Sequence, residues 1–356
     1  MSRSEHPPAH ASAPASERPF AALTPEAVLD ALDAVGMRGD GRLIQLNSYE
    51  NRVFQVFLES AAVVVPKFYR PGRWSDEQIL EEHGFAAELA AAEIPVVAPL
   101  ALELAAHPRR AVALAGDPPT LAHSLGQRFS VSPRRSGRAP ELDDPATLEW
   151  IGRFIGRIHA VGAIRRFVHR GRIDAQTHGV APRDYLLDND WVPPDALPRW
   201  RGIVDAALDL VQRAFDGLPD LRTLRLHGDC HPGNILWSDA GPHFVDLDDA
   251  LTGPAVQDLW MLLSGDRASM TRQLGAVLAG YEDFMDFDWR ELRLVEPLRT
   301  LRMIHHSAWI ARRWNDPAFP VAFPWFDGAA YWQQQATQLN EQVEAMREAP
   351  LGSARN

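Results

Sequence analysis

Residues 225–249 constrain this chain more than any other stretch. They read Arg-Leu-His-Gly-Asp-Cys-His-Pro-Gly-Asn-Ile-Leu-Trp-Ser-Asp-Ala-Gly-Pro-His-Phe-Val-Asp-Leu-Asp-Asp. Two short apolar runs, 235–237 and 243–245, flank the turn formers Asp239, Ala240, Gly241 and Pro242. That pattern predicts a β-hairpin. A hairpin brings its outer ends together. Asn234, at the start of the first strand, and Asp246, just after the second, are therefore expected to be neighbours. Asp229, in the loop before them, is expected close to both.

An amide oxygen and a carboxylate that converge are ligands for a hard cation such as Mg²⁺, which keeps several waters and shares phosphate oxygens. A second carboxylate nearby can orient a hydroxyl and accept its proton. His227, Asp229 and Asn234 carry the H-x-D-x-x-x-x-N spacing of a protein-kinase catalytic loop, and Asp246 takes the place of the metal-binding aspartate. The second motif departs from the usual Asp-Phe-Gly. Here it is Asp246-Leu247-Asp248-Asp249, a variant that resembles the aminoglycoside and choline phosphotransferase branch of the kinase fold. An isolated aspartate before a strand is ordinarily a cap or turn former. The joint pattern of loop, strand, turn, strand and second acidic cluster is what points to catalysis.

A chain of 356 residues suits two lobes rather than one simple core. Its 47 acidic residues outnumber 36 lysines and arginines, for a net charge of −11, which disfavours nucleic acid as a partner. Cys230 is the only cysteine. It excludes an intramolecular disulfide or a thiolate cluster, and beside Asp229 it reads as a small residue packed under the loop rather than a redox switch. No apolar run reaches the length of a membrane span; Glu93 and Glu103 interrupt the best candidate. The N-terminus has no apolar signal core, so a cytoplasmic location and no membrane partner are expected.

The expected architecture is α+β: a bilobal, protein-kinase-like fold with a small, mainly β N-lobe carrying a helix and a larger, mainly α C-lobe. Residues 1–19, rich in Ala, Pro and Ser, are expected to be a disordered tail. Residues 20–131 form the N-lobe and 132–346 the C-lobe; 347–356 are expected to fray. In the N-lobe, Thr24-Pro25 opens a helix that Gly36 stops. Strands 42–46 and 52–58 follow, joined by Asn47-Ser48-Tyr49-Glu50-Asn51. A kinase fold lays this loop over the ATP phosphates. The usual glycine-rich sequence is absent, yet Ser48 and the loop amides could form an anion nest; an ordinary polar turn is the competing reading. Lys67 interrupts the apolar strand 63–69, where a lysine is costly unless paired or used. A kinase places it on the α- and β-phosphates and pairs it with a helix glutamate. The helix capped by Ser75 offers Glu81 and Glu82; Glu82 is preferred, being nearer to alignment with Ala86 and Leu89.

Strands and turns are expected over 95–104, 110–114 and 121–131, and a hinge over 132–138. Leu148, Ile151, Ile155 and Ile158 mark a helix. Residues 165–198 read as an irregular excursion and 203–215 as a helix. Another helix starts at 257, with Asp258 as its cap and a possible brace for the catalytic loop. Helices follow over 274–284, 289–310 and 330–346. The aromatic and proline-rich stretch 312–326 reads as a rigid packed loop.

Together, the blocks 46–53, 67–71, 79–83, 226–231, 233–237, 244–250, 253–260 and 312–320 resemble the bacterial stress response kinase A family, serine/threonine protein kinases with the fold of the aminoglycoside and choline kinases. The resemblance runs from about residue 20 to about residue 340 and is weak across 100–145 and 165–222. It implies ATP, Mg²⁺ and transfer to protein Ser or Thr, autophosphorylation included, in a stress-protective role. It assigns Asp229 as proton acceptor, Asp229 and Asp246 as the catalytic pair, Asn234 and Asp246 to Mg²⁺, and Ser48, Lys67 and Glu82 to the nucleotide. A monomer acting on protein substrates is expected. Two other readings stand beside it: a small-molecule phosphotransferase of the same fold, and a non-catalytic nucleotide-binding scaffold. The intact set Lys67, Asp229, Asn234 and Asp246 weighs against the scaffold.

Overall fold

The computed structural model describes residues 19–352; nearly all of the expected N-terminal tail lies outside them. Helix α1 (Pro25–Ala34) starts where Thr24 Oγ1 accepts the Ala27 amide at 3.2 Å and proline occupies the first turn. Strands β1 (Gly39–Leu46), β2 (Arg52–Leu58) and β3 (Val63–Phe68) form an antiparallel meander. Helix α2 (Asp76–Ala91) opens with a capping box between Ser75 and Gln78. Strands β4 (Ala113–Gly116), β5 (Pro119–Ser124) and β6 (Gln127–Pro133) then complete one six-stranded sheet, ordered β1-β2-β3-β6-β5-β4. Residues 95–104, expected to be extended, form no strand of that sheet; Val96 makes one isolated bridge, to Phe244. Within 121–131, expected to hold strand and turn, the chain makes a tight hairpin, because Leu125 and Gly126 both take positive φ and reverse it.

In the C-lobe, α3 (Pro145–Gly162) buries Leu148, Ile151, Ile155 and Ile158, the stripe its sequence spacing marks. The segment expected to be an irregular excursion holds a π-helical turn at 176–180 running into α4 (Ala181–Asp188), with Pro182 in the first turn where it needs no donor. Helix α5 (Leu197–Asp216) is longer than its apolar stripe suggests. Next come β7 (Leu224–Leu226), the hairpin β8 (Ile235–Ser238) and β9 (Gly241–Phe244), and β10 (Leu251–Gly253), which pairs with β7. Helices α6 (Gln257–Trp260), α7 (Arg267–Tyr281), α8 (Val295–Arg312), α9 (Ala318–Ala322) and α10 (Ala329–Ala345) finish the chain. Residues 347–352, expected to fray, turn back onto the C-lobe: Leu351 is buried and Arg267 donates to the Ala349 and Pro350 carbonyls.

Two cores result. Val28, Leu32, Phe54, Phe68 and Phe129 fill the space between α1 and the sheet. A larger core fills the C-lobe, and the second half of α2 enters it through Phe85, Ala86 and Leu89. One helix thus ties the small lobe to the large one. The aromatic stretch packs as expected: Trp309, Phe319, Phe323, Trp325 and Phe326 form a chain of ring contacts continued by Tyr331 and Trp332.

Helices α3 and α7 approach at backbone distance. A Cβ added to Gly152 would lie 2.0 Å from the Val277 carbonyl oxygen, and one added to Gly280 would lie 1.9 Å from that of Glu149. Backbone cannot yield as a flexible side chain does. Gly152→Ala and Gly280→Ala should each destabilise the protein by at least about 2 kcal/mol, read from urea unfolding midpoints. Gly202→Ala, where a Cβ meets open space, should not.

Candidate active site

The hairpin gathers the polar groups as its sequence requires. Ile235 pairs with Phe244 and Ser238 with Gly241, leaving a two-residue turn at 239–240. The Val245 amide donates to the Asn234 carbonyl at 3.0 Å, so the backbones carrying Asn234 and Asp246 are tied together. The Asn234 side-chain amide donates to the Asp229 carbonyl at 2.9 Å. Its nitrogen is thereby committed, and its oxygen is left for a cation. Asp246 sits in the left-handed region at φ 61°, ψ 63°, with its side chain half exposed. That backbone costs about 1–3 kcal/mol in a non-glycine residue and is typical of functional sites.

The loop before the hairpin is fixed from beneath by Asp258. One carboxylate oxygen accepts the His227 amide at 2.8 Å, the other accepts the Gly228 amide at 2.8 Å, and His159 Nε2 lies 3.0 Å away. Asp258 is therefore a brace for the loop and not the helix cap its position suggested; α6 has no side-chain cap. Gln257 donates to the Gly228 carbonyl at 2.9 Å. Gly228 has φ 86°, and a Cβ there would meet the Asp249 carbonyl oxygen at 2.1 Å. Only glycine fits. His227 Nε2 reaches the Val245 carbonyl at 2.9 Å, locking the loop to the residue before Asp246.

Asp229 Oδ1 pairs with Arg302 Nη1 of α8 at 2.5 Å, and its Oδ2 lies 3.5 Å from His231 Nε2. Burial opposes ionisation of Asp229, but Arg302 and His231 outweigh it and hold the carboxyl below its ordinary value. Asp229 is therefore an anion at neutral pH. Cys230 is fully buried, and burial beside Asp258 and Asp229 pushes its thiol well above the ordinary range. It is inert packing.

From the N-lobe, Lys67 Nζ lies 3.3 Å from Asp246 Oδ1 and 3.2 Å from Asp248 Oδ1. The expected Lys67–Glu82 ion pair does not form among the described residues. Glu82 is buried near Lys67, and burial raises its pKa against the pull of that cation. Glu81 points elsewhere: its carboxylate accepts the amides of Val168, His169 and Arg170. Adjacent helical residues are rotated by about 100°, which is why one faces the cleft and the other the C-lobe loop. Ser48 Oγ accepts the Asn51 amide at 3.3 Å. Ser48, Lys67, Glu82, Asp229, Asn234 and Asp246 all line one cleft of about 780 Å³ between the lobes.

Sequence reading missed the residues that knit this cleft across the lobes. Asp248 is buried; it takes Lys67, Arg73 and the Asn51 amide at 3.2 Å. Burial opposes its charge, but Lys67, Arg73 and Arg170 hold it well below the ordinary carboxylate range. The loop 47–51 is held by Arg70, which donates to the Tyr49 and Glu50 carbonyls and pairs with Asp316 at 2.8 Å. Glu50 accepts the Trp309 indole at 2.6 Å and pairs with Arg313 at 2.6 Å. The loop's order comes from side chains of both lobes, Arg70 from its own and Trp309, Arg313 and Asp248 from the other. No local sequence signal marks Glu50, Arg70, Arg73 or Asp316, since each stands in a polar stretch and meets its partners only in the fold.

The fold and the cleft define a kinase-like phosphotransferase, and comparison with known proteins agrees. Residues 42–295 match the family model for the phosphotransferase enzyme family. Stress response kinase A of Salmonella choleraesuis (strain SC-B67) is 45% identical over 332 residues, 93% of this chain and 96% of that protein. A Salmonella typhimurium protein named serine/threonine protein kinase RdoA is 44% identical over the same shares. The solved structure of amicoumacin kinase hAmiN, in complex with AMP-PNP, Ca²⁺ and Ami, superposes with a TM-score of 0.65 over 92% of this chain and 95% of that one, at 17% identity. The chain belongs to the phosphotransferase enzyme family, and within it to the stress response kinase A family of kinases. Among the described residues no helix is long and apolar enough to cross a membrane.

The support beneath the loop is itself titratable. Glu291 is buried and accepts the Val256 amide at 2.8 Å, next to Gln257 and Asp258. Burial raises its pKa from 4.5 to about 7. Between these values the unfolded chain loses the proton while the folded chain keeps it, so stability falls as pH rises from 4.5 to 7 and levels off above. Glu291→Gln should flatten that slope by roughly 3 kcal/mol at most, in urea unfolding measured across the range. An unchanged slope would show that Glu291 titrates normally.

Proposed function

We propose that this protein transfers the γ-phosphoryl group of ATP, with Mg²⁺, to Ser and Thr hydroxyls of proteins, its own included, as a cytoplasmic monomer in a stress response. The observation that carries this reading is the convergence of Asp229, Asn234, Asp246 and Lys67 on one cleft. Such transfer asks little covalent work of the protein; positioning and charge neutralisation do most of it. The Asp229 carboxylate, kept ionised, orients the acceptor hydroxyl and takes its proton. Lys67 faces the α- and β-phosphates. Ser48 and the amides of loop 47–51 lie along the phosphate chain, held by Arg70 and Glu50.

The residues fit a magnesium ion. Asp246 offers an exposed carboxylate oxygen and Asn234 an amide oxygen, both hard donors, on backbones joined by a hydrogen bond. When bound, Mg²⁺ neutralises phosphate charge that the protein's own cations do not reach. Protein as the acceptor is favoured by the relative named a serine/threonine protein kinase. A small-molecule acceptor is favoured by the fold it shares with amicoumacin kinase. The test separates them.

Asp246→Ala and Asp229→Asn should each cut MgATP-dependent phosphorylation by at least about 100-fold while leaving the thermal unfolding temperature near wild type. Mass spectrometry after incubation with MgATP should find phosphoserine or phosphothreonine on the protein or on an added protein substrate. Phosphate appearing only on an amine, sugar or antibiotic would replace the protein-kinase reading with a small-molecule one. ATP binding without turnover would leave a scaffold.

A further inference from the structure

The cations lining the cleft are Lys67, Arg73, Arg135 and Arg302. Three are already accounted for by position. Lys67 lies on Asp246 and Asp248. Arg73 is shared among Glu50, Asp248 and Asp249. Arg135 follows β6 at the connection between the lobes, with Val97, Pro99 and Leu236 along the same wall. On the acceptor side, next to Asp229, Arg302 is the lysine or arginine that lines the cleft. The imidazoles around it do not share its charge: burial pushes His178 and His306 down to about 4, and also lowers His231 and His305.

Arg302 sits on α8, an eighteen-residue helix whose buried face packs into the C-lobe core. Its guanidinium is rooted on a rigid element yet nearly half exposed, with a side-chain accessibility of 45%. One of its five N–H donors is on Asp229, at 2.5 Å. The others remain for a ligand in the cleft. A hydroxyl held by Asp229 would have its oxygen within reach of the same guanidinium, and so would the phosphoryl group arriving at that oxygen.

We propose that Arg302 is a catalytic residue, a built-in arginine that binds the phosphoryl group in flight and on the acceptor. The inference rests on the reading of this cleft as a phosphotransferase site. In the step it serves, a bond forms between the acceptor oxygen and the γ-phosphorus. The bond from that phosphorus to the β,γ-bridging oxygen breaks, ADP leaves with the electron pair, and the hydroxyl proton passes to Asp229. The three equatorial oxygens carry the charge throughout, and a fixed planar fork of N–H donors matches them. In the resting protein the Asp229 carboxylate stands in for that anion and keeps the fork in place.

Arg302→Ala should lower kcat by about 100- to 1,000-fold, with the KM for ATP little changed. Arg302→Lys should recover part of the loss, as should guanidinium added to the alanine variant. Calorimetry supplies a readout that does not need turnover. MgADP alone should bind Arg302→Ala as it binds wild type, while the tightening produced by adding aluminium fluoride, a mimic of the phosphoryl in transit, should disappear. Arg299→Ala, one turn earlier on the same helix, should behave as wild type and controls for damage to α8. The proposal falls if wild type turns over and Arg302→Ala keeps its kcat, if only the acceptor KM rises, or if activity increases because the arginine was obstructing Asp229. A wild type that transfers phosphate to no acceptor would instead overturn the reading of the cleft itself.

Discussion

The buried carboxylate of Asp248 joins the two lobes at the cleft. It belongs to the C-lobe, yet its partners Lys67, Arg73 and Asn51 belong to the N-lobe. A charge so placed is expensive unless every neighbour compensates it, so its environment cannot relax piecemeal. Removing one partner would strand the others. This explains why an acidic residue occupies the place that a glycine holds in the Asp-Phe-Gly motif. Arg170 donates to the Leu247, Asp248 and Ala250 carbonyls, and stacks on Trp74 with its guanidinium carbon 4.1 Å from the ring centroid. The backbone following Asp246 is therefore fixed from the C-lobe side, its charges from the N-lobe side, and the left-handed conformation of Asp246 is imposed from both.

The same logic, a buried acid gripping groups from elsewhere, recurs at Asp258 and Asp316. Asp258 holds two consecutive backbone amides of the catalytic loop. Asp316 pairs with Arg52 at 3.2 Å and Arg70 at 2.8 Å, tying the start of β2 and the segment after β3 to the aromatic segment of the C-lobe. Glycine-rich phosphate loops bend close to their ligand because nothing obstructs the backbone. Here the loop is shaped by Arg70, which takes two of its carbonyls. The loop is thus shaped from its own lobe by Arg70 and tied to the other lobe through Glu50, which meets Trp309 and Arg313, and through Asn51, which meets Asp248.

Much of this was legible from residues because the informative signals were local. The hairpin at 235–244 follows from two short apolar runs and turn chemistry, and it brings Asn234 beside Asp246. Ser75 and Thr24 mark helix starts that the structure keeps. Lys67 announces itself as a charge inside an apolar strand. What stayed hidden depends on pairs distant in sequence. Arg302 is one arginine among many on a helix, and only the fold places it on Asp229. The apolar stripe favours Glu82 for the buried face, as the structure has it, but the amides that claim Glu81 lie in a loop of the other lobe. The stretch 95–104 has strand-like composition, yet apart from the Val96 bridge it runs as an irregular connector, its amides answered singly by Phe244, Val131 and Pro119. Propensity describes a segment, and the partner decides what the segment becomes.

The distribution of charge across the cleft separates its two ends. Toward the sheet, Lys67 and Arg73 are neutralised by carboxylates that remain when no nucleotide is bound, so a triphosphate must compete with Asp246 and Asp248 for Lys67. Were a divalent cation held by Asp246 and Asn234, it would take one of the two carboxylates that Lys67 now faces and leave Asp248 as the other. Toward α8, the walls are imidazole and indole: His305, His306 and Trp309, with Tyr49 above them. Neutral rings of this kind give shape and hydrogen bonds without attracting a polycation, whose positive charge would also face Arg302 and Arg73. Of the carboxylates that line the cleft, Glu50 is paired with Arg70, Arg73 and Arg313, Asp229 with Arg302 and Asp249 with Arg73. With those three carboxylates already facing arginines, little unpaired negative charge is left toward α8 among the described residues, and the wall there offers shape and hydrogen bonds more than charge.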